Sequence, residues 1–466
     1  MTIEQIYTGC LAQGAYYIES QGEAVIIDPL RESAPYLERA QADGAKITYI
    51  FETHFHADFV SGHVDLAKQT GATIVYGPKA ETDFDAHIAT DGEEFKVGEL
   101  TLRVLHTPGH TVESSCYLLL DGNGEEQAIF TGDTLFLGDV GRPDLAQKGA
   151  DMTSEDLAGL LYDSLRNKIM PLPDHITVYP AHGAGSACGK NMMNITQDKL
   201  GNQKSMNYAL QPDLTKEQFT EQLLDGLLPP PAYFPLNVSL NKRGYDTHDE
   251  VMQRGTTKRS AADAKIYQAD PETLLLDVRS PDDFAAGHIP GSIFIGLDGS
   301  FAPWVGELIA DINTKIFLIA PPGREEEAVK RLARVGFDNC VGYLDGGVEA
   351  WKDAGEATAT ITRYTAHELE NLYRAAPSRV IDIRKPSEYD NGHILEVDNL
   401  PLSNIHGQLE AYRTVDQPIL HCAGGYRSMI AASILQARGI ENVSDVIGGY
   451  GAIKDATIPV VSAALA

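Results

Sequence analysis

Residues 52–63 read ETHFHADFVSGH, three histidines and two acids in twelve positions, directly after the apolar run ITYIF (47–51). His54 and His56 are two residues apart, so an extended or tightly looped backbone turns both to the same side. An imidazole pair of that kind suits zinc or iron, although histidines at a strand end also serve simply as hydrogen-bonding groups. Three further motifs lie farther along the chain: HTPGH ending at His110, TGDT containing Asp133, and PAHG containing His182. Each follows an apolar run of strand length, among EAVIID, ITYIF, TIVYG, LTLRVL, SSCYLLL, QAIFT and ITVYP. Helical stretches such as APYLERAQA and SEDLAGLLYDSLRNKI separate the runs, which predicts an α/β fold. Strands that deliver polar residues at one end are how a sheet builds a single site at its rim.

With these motifs in place, THFHAD (His54, His56, Asp58), TPGH (His110), TGD (Asp133) and the later His182 resemble the metallo-β-lactamase fold superfamily. The resemblance implies an αββα sandwich with metal ligands on loops at one sheet edge. Two-metal hydrolases of that superfamily, such as glyoxalase II, read HxHxDH, whereas the final position here is Phe59. Phenylalanine offers no lone pair, so one metal is favoured over two. The mononuclear iron branch comprises the persulfide dioxygenases, whose ligands map onto His54, His110 and Asp133. One Fe(II) per chain is therefore expected, with zinc as the alternative, and two histidines plus one carboxylate leave one face of the ion open. His56, Asp58 and His182 then orient ligands or hydrogen-bond bound water. Asp58 has the plainer option of capping a loop amide, and His63 opens the helix HVDLAKQT as a structural residue. Arg142, in GDVGRPDL, corresponds to a loop that binds an anionic thiol carrier, with a surface salt bridge as the other reading. Cys188, in AHGAGSACGK, is either a thiol approaching the metal pocket and its substrate or a small buried hydrophobe.

From Ala261 onward the chain repeats itself. LLLDVRSPDDFAAGHIPGS, with Asp277 and His288, is answered 105 positions later by VIDIRKPSEYDNGHILEV, with Asp382 and His393. GFDNCVGYLDGGVEAW is likewise answered by GIENVSDVIGGYGAI. These are two copies of an α/β domain with a parallel sheet. In the second copy, ILHCAGGYRS ends a strand at Cys422 and turns through Ala423, Gly424, Gly425 and Tyr426 to Arg427. A turn of this kind aims backbone N–H groups inward as an anion-binding nest, and a guanidinium adds positive charge, which favours a thiolate nucleophile. DIR, NGH and CAGGYRS resemble the rhodaneses, sulfurtransferases that carry sulfane sulfur as a cysteine persulfide. The first copy reads FLIAPPGREEE, which places Ala320 at the nucleophile position and removes backbone donors at the prolines. It is a degenerate rhodanese-like domain, and its Cys340 belongs to the core.

The expected organisation is a metallo-β-lactamase-fold domain over residues 1–245, a degenerate rhodanese-like domain over 259–358 and an active rhodanese over 359–466. Residues 230–258, where prolines and then polar residues break both periodicities, read as the connecting segment. A chain of 466 residues supports several domains, and its 43% hydrophobic content fills their cores. A formal charge of -29 argues against nucleic acid and anionic membrane as partners. Five cysteines without a CxxC give neither a disulfide framework nor a zinc knuckle. No leader or spanning run is apparent, so a cytoplasmic protein is expected, and the resemblance to folds that often self-associate implies a homo-oligomer. The resemblances together imply a low-molecular-weight thiol persulfide of the glutathione or coenzyme A type and O2 as substrates, sulfite and thiosulfate as related species, and sulfur transfer through Cys422. A zinc thioester hydrolase using His54, His56 and His110, and a sulfur-relay protein with an idle first domain, are the other readings.

Overall fold

The computed structural model describes residues 1–145, 152–227 and 229–462. It divides into two compact units, Met1–His248 with Ala333–Gly336, and Asp249–Leu332 with Phe337–Ala466.

The first unit holds two six-stranded sheets. One contains β1 (Thr2–Thr8), β2 (Gln13–Ser20), β3 (Glu23–Ile27), β4 (Lys46–Phe51), β5 (Thr73–Tyr76) and β6 (His87–Ile88), in chain order. The other contains β7 (Glu94–Val97), β8 (Leu100–His106), β9 (Ser115–Leu120), β10 (Glu126–Gly132), β11 (Thr177–Pro180) and β12 (Asp198–Lys199), also in chain order across the sheet. The period of two along each strand sorts its side chains between layers. On β2, Ala15 and Tyr17 pack under the helices Ala34–Asp43 and His63–Thr70, whereas Tyr16 and Ile18 face the second sheet. On β9, Tyr117 and Leu119 face the first sheet, whereas Cys116, Leu118 and Leu120 pack against Ala158 and Leu161 of the helix Ser154–Ser164. The result is the αββα sandwich. The seven expected strands are all present; β1 and β2 add an antiparallel ribbon paired from Thr2↔Glu19 to Thr8↔Gln13. β1 is a half-buried edge strand, so its alternation is too weak to read from sequence.

Residues 230–258 are helical where an irregular connection was expected, with helices at Phe234–Arg243 and His248–Gly255. A proline is tolerated in the first turn of a helix because the N–H it lacks has no helical partner there, and Pro235 occupies that turn. Phe234, Asn237 and Asn241 form the buried side of the first helix, so two of its three buried residues are polar and no apolar stripe marks it.

The second unit contains two five-stranded parallel sheets built to the same plan. β13 (Lys258–Arg259), β14 (Thr273–Asp277), β15 (Ile293–Phe294), β16 (Lys315–Ile319) and β17 (Cys340–Leu344) are ordered β13-β17-β16-β14-β15. β18 (Thr362–Tyr364), β19 (Val380–Asp382), β20 (Gly392–Ile394), β21 (Asp398–Asn399), β22 (Ile419–His421), β23 (Ser444–Val446) and β24 (Val460–Ser462) complete the second copy. Its main sheet is ordered β18-β23-β22-β19-β21, while β20 pairs with β24. The repeated motif is structural in both copies. Arg279 bonds Asp277 and the Gly287 carbonyl, and Arg384 bonds Asp382 and the Gly392 carbonyl. His288 stacks on Phe284 at 3.9 Å and His393 on Tyr389 at 3.8 Å. Cys340 is fully buried at the head of β17.

Candidate functional site

In the first unit, β4, β8, β10 and β11 end at Phe51, His106, Gly132 and Pro180, and the polar motifs begin there. The donor atoms of His54, His110 and Asp133 lie within 4.8 Å of one another, and all three residues are buried. His110 Nδ1 donates to the Arg142 carbonyl at 2.8 Å, which leaves the lone pair on Nε2, 3.4 Å from Asp133 Oδ2. Thr53 gives its hydroxyl proton to Asp28 Oδ2 at 2.9 Å, so its oxygen accepts from His54 Nδ1 at 3.0 Å. His54 Nε2 therefore also carries its lone pair, 3.9 Å from the same carboxylate oxygen. Burial and the neighbouring imidazoles hold His54 well below the usual histidine range, so it is neutral. His110 Nε2 and both Asp133 oxygens are buried without a hydrogen-bond partner among the described residues. Orphaned polar atoms are costly in a protein interior, and three that converge with a neutral imidazole fit a divalent cation.

His56 belongs to two other donor clusters, one with Asp58 and His182 and one with Asp28 and Glu52. Its Nε2 lies 3.1 Å from Asp28 Oδ1 and 3.3 Å from Glu52 Oε2. Burial works against its charge, but the two carboxylates outweigh it and push the imidazole up to about 10. Phe59, fully buried, stacks on the His56 ring at 4.3 Å. Among the described residues no donor cluster joins His56 to His54. His182 Nε2 sits 3.5 Å from Asp58 Oδ2 and 3.7 Å from Asp133 Oδ1, and these carboxylates raise its pKa against the effect of burial. Cys188 forms a donor cluster with His182 and Asp133. Burial, then the nearby Asp58 and Asp133, push its thiol up to about 12, so it is protonated at neutral pH.

Arg142 is at the site but not as an open anion receptor. The residue is buried, its guanidinium is held by Asp144 at 2.6 and 2.7 Å, and its backbone carbonyl is what fixes His110. His63 opens its helix, with Nδ1 3.1 Å from Glu52 Oε1.

Three supporting residues escape the sequence reading. Asp28 and Glu52 follow directly on β3 and β4, at the same rim as the motifs, and that position was their available signal. Asn241 carries no such signal: from the helix Phe234–Arg243 it donates to the His56 and Phe59 carbonyls at 2.8 and 2.9 Å and accepts from Ser61 N at 2.9 Å. Gly141 packs so closely that a Cβ would lie 2.1 Å from the Asp133 carbonyl oxygen and 2.9 Å from His110 Nδ1. Gly141→Ala is expected to displace both donors and cut metal affinity by about tenfold or more, checked by metal retained during dialysis against a chelator.

In the second unit, Cys422 follows β22 directly and is 1% exposed, whereas Ala423 and Gly424 in the turn beyond it are exposed. Gly425 takes φ 91, a left-handed conformation that suits glycine, and its N–H donates to Cys422 Sγ at 3.1 Å. Ser428 Oγ lies 3.6 Å from the same sulfur and donates to Asp445 at 3.1 Å. Tyr426 donates to the Gly296 carbonyl of the first copy at 2.7 Å. Arg427 is engaged by Glu388 through two bonds of 2.7 Å. At the matching place in the first copy Ala320 is buried at the end of β16, before Pro321 and Pro322, so that copy holds no thiol there.

The metallo-beta-lactamase superfamily model matches residues 8–182, and the rhodanese-like domain model matches residues 260–354 and 365–456. A hydroxyacylglutathione hydrolase from Polaromonas is 33% identical over 189 residues, 39% of this chain and 66% of that enzyme's length. The chain thus spans just under two thirds of that relative. The mitochondrial persulfide dioxygenase ETHE1 from Homo sapiens is 30% identical over 223 residues, 47% of this chain and 79% of that one. Among solved structures, a metallo-beta-lactamase from Staphylococcus aureus matches with a TM-score of 0.65 and 33% identity, covering 73% of this chain and 98% of that one. The chain therefore belongs to the metallo-beta-lactamase superfamily, as a fusion of an ETHE1-related domain with two rhodanese-like domains.

Proposed function

We propose that the protein is a persulfide dioxygenase joined to a sulfurtransferase. The observation that carries this reading is the buried set of His54, His110 and Asp133, in which unpartnered atoms of His110 and Asp133 converge with the His54 imidazole while His56 is paired with carboxylates. His54, His110 and Asp133 would hold Fe(II), which would supply the activation of O2 that the oxidation requires. The overall reaction balances as a thiol persulfide plus O2 and water giving the thiol, sulfite and two protons. The outer sulfur is oxidised and O2 is reduced. The chain's own residues fix the ligand tautomers through Asp28, Thr53 and the Arg142 carbonyl. Asp58 and His182 border the donors as an ion pair in which His182 already carries its Nε2 proton, facing Asp58. Cys188 contributes a neutral thiol beside them.

At the second site, the Cys422 thiolate attacks the outer sulfur of a persulfide, forming a Cys422 persulfide and releasing the thiolate. Attack of sulfite on that outer sulfur returns the Cys422 thiolate and yields thiosulfate. Covalent linkage raises the local concentration of shared intermediates, which supports placing both activities in one route of sulfide detoxification.

Protein purified without added metal is expected to carry about one iron per chain and to consume O2 when given glutathione or coenzyme A persulfide. Elemental analysis with an oxygen electrode tests this. Zinc accompanied by thioester cleavage and no O2 consumption would instead establish the second reading, the hydrolase supported by the hydroxyacylglutathione hydrolase relatives.

A further inference from the structure

The arginines around the Cys422 turn are already matched by carboxylates. Arg384 bonds Asp382 at 2.6 Å. Arg363 bonds Asp445 at 2.8 and 3.0 Å and also bonds Asp282. Arg427, in the first turn of the helix Tyr426–Ala437, is gripped by both oxygens of Glu388. Glu388 Oε2 also accepts from Lys385 N at 3.3 Å, which fixes the carboxylate from behind. The first copy shows that this pair is particular to the cysteine-bearing turn. Glu388 is matched there by Asp283, 105 positions earlier, which instead bonds the Ser280 hydroxyl at 2.6 Å. The place of Arg427 is taken by Glu325, five residues after Ala320 as Arg427 is five after Cys422. At these two positions the first copy has neither the guanidinium nor its clasp; its Arg324, one residue earlier, is held by Glu327 and Asp298 instead.

We propose that Glu388 is a specificity-determining residue that occupies the anion-recognising guanidinium of Arg427, so that doubly charged sulfur oxyanions must compete with a built-in carboxylate to reach Cys422. The proposal rests on the reading of Cys422 as a sulfur-transfer nucleophile. A thiosulfate or sulfite dianion meets both the charge of Glu388 and the loss of the bidentate pair. A thiol persulfide carries at most one charge on its reacting end and meets less of that penalty. The turn therefore loads from thiol persulfides in preference to thiosulfate.

The test uses the full-length protein with two readouts. In thiosulfate-to-cyanide transfer, Glu388→Gln is expected to lower the KM for thiosulfate about fivefold, in the range of a partly exposed ion pair, while the conservative Glu388→Asp keeps the wild-type value. Independently of turnover, labelling of the Cys422 peptide by iodoacetate relative to iodoacetamide, read by mass spectrometry, should rise about fivefold in Glu388→Gln. That gain should vanish in the Arg427→Ala/Glu388→Gln double variant. An unchanged or falling labelling ratio in Glu388→Gln would overturn the proposal, whatever the turnover assay shows. A rising ratio in a protein that transfers no sulfur would keep the role of Glu388 and remove the sulfurtransferase reading instead.

Discussion

His110→Ala should strip most of the metal from the purified protein and lower persulfide-dependent O2 consumption by at least ~100-fold, with thiosulfate sulfurtransfer retained. His110 is fully buried, its tautomer is fixed by the Arg142 carbonyl, and its free nitrogen is 3.4 Å from Asp133. Truncation removes one of three donors and leaves Asp133 facing an enlarged, uncompensated space. His182→Ala provides the contrast: it removes a neighbour of the donors and should lower the rate while leaving metal content largely intact. The two variants are separated by metal content per chain together with O2 consumption. If His110→Ala kept its metal and consumed O2 within about threefold of the parent, the three-residue centre would be abandoned.

Cys422→Ser should lower sulfurtransfer by about a thousandfold or more while O2 consumption persists. A serine hydroxyl can still accept from Gly425 N, so the turn keeps its shape, but an alkoxide is not available at neutral pH and the oxygen cannot carry sulfane sulfur. The direct check is the mass of the Cys422 peptide after incubation with a persulfide. One added sulfur atom is expected in the parent and none in the variant. Sulfurtransfer surviving in Cys422→Ser, or added sulfur appearing on Cys188 in place of Cys422, would contradict the assignment of the nucleophile.

Much of this architecture is legible from sequence because the strands are clean apolar runs and every candidate metal donor lies just beyond one of them. His54, His110 and Asp133 are separated by up to 79 positions, yet a shared sheet edge makes them neighbours. The paired Asp and His motifs expose the duplication of the second unit for the same reason: a fixed ion pair and a stacked ring demand the same residues twice. Features set by packing are less legible. His56 sits in the same motif as His54, and only Asp28 and Glu52, both facing its Nε2, show that it is an ion-paired cation. Arg142 looks like an anion receptor until Asp144, two residues on, is seen to occupy it. Glu388 and Arg427 are 39 positions apart and no local pattern links them.

The clasp from Asn241 bears on how the centre is made. As the chain leaves the ribosome, all the candidate metal donors have emerged by Cys188, but the carbonyls of His56 and Phe59 still lack the amide that later holds them. Metal offered to the nascent chain at that stage meets a complete set of ligands on an unfinished loop. If His54, His110 and Asp133 hold a metal, maturation is expected to be ordered, with the helix Phe234–Arg243 docking before the surroundings of His54 reach their final shape. A chain cut just after the last donor would bear every ligand and still be a poor host for the ion.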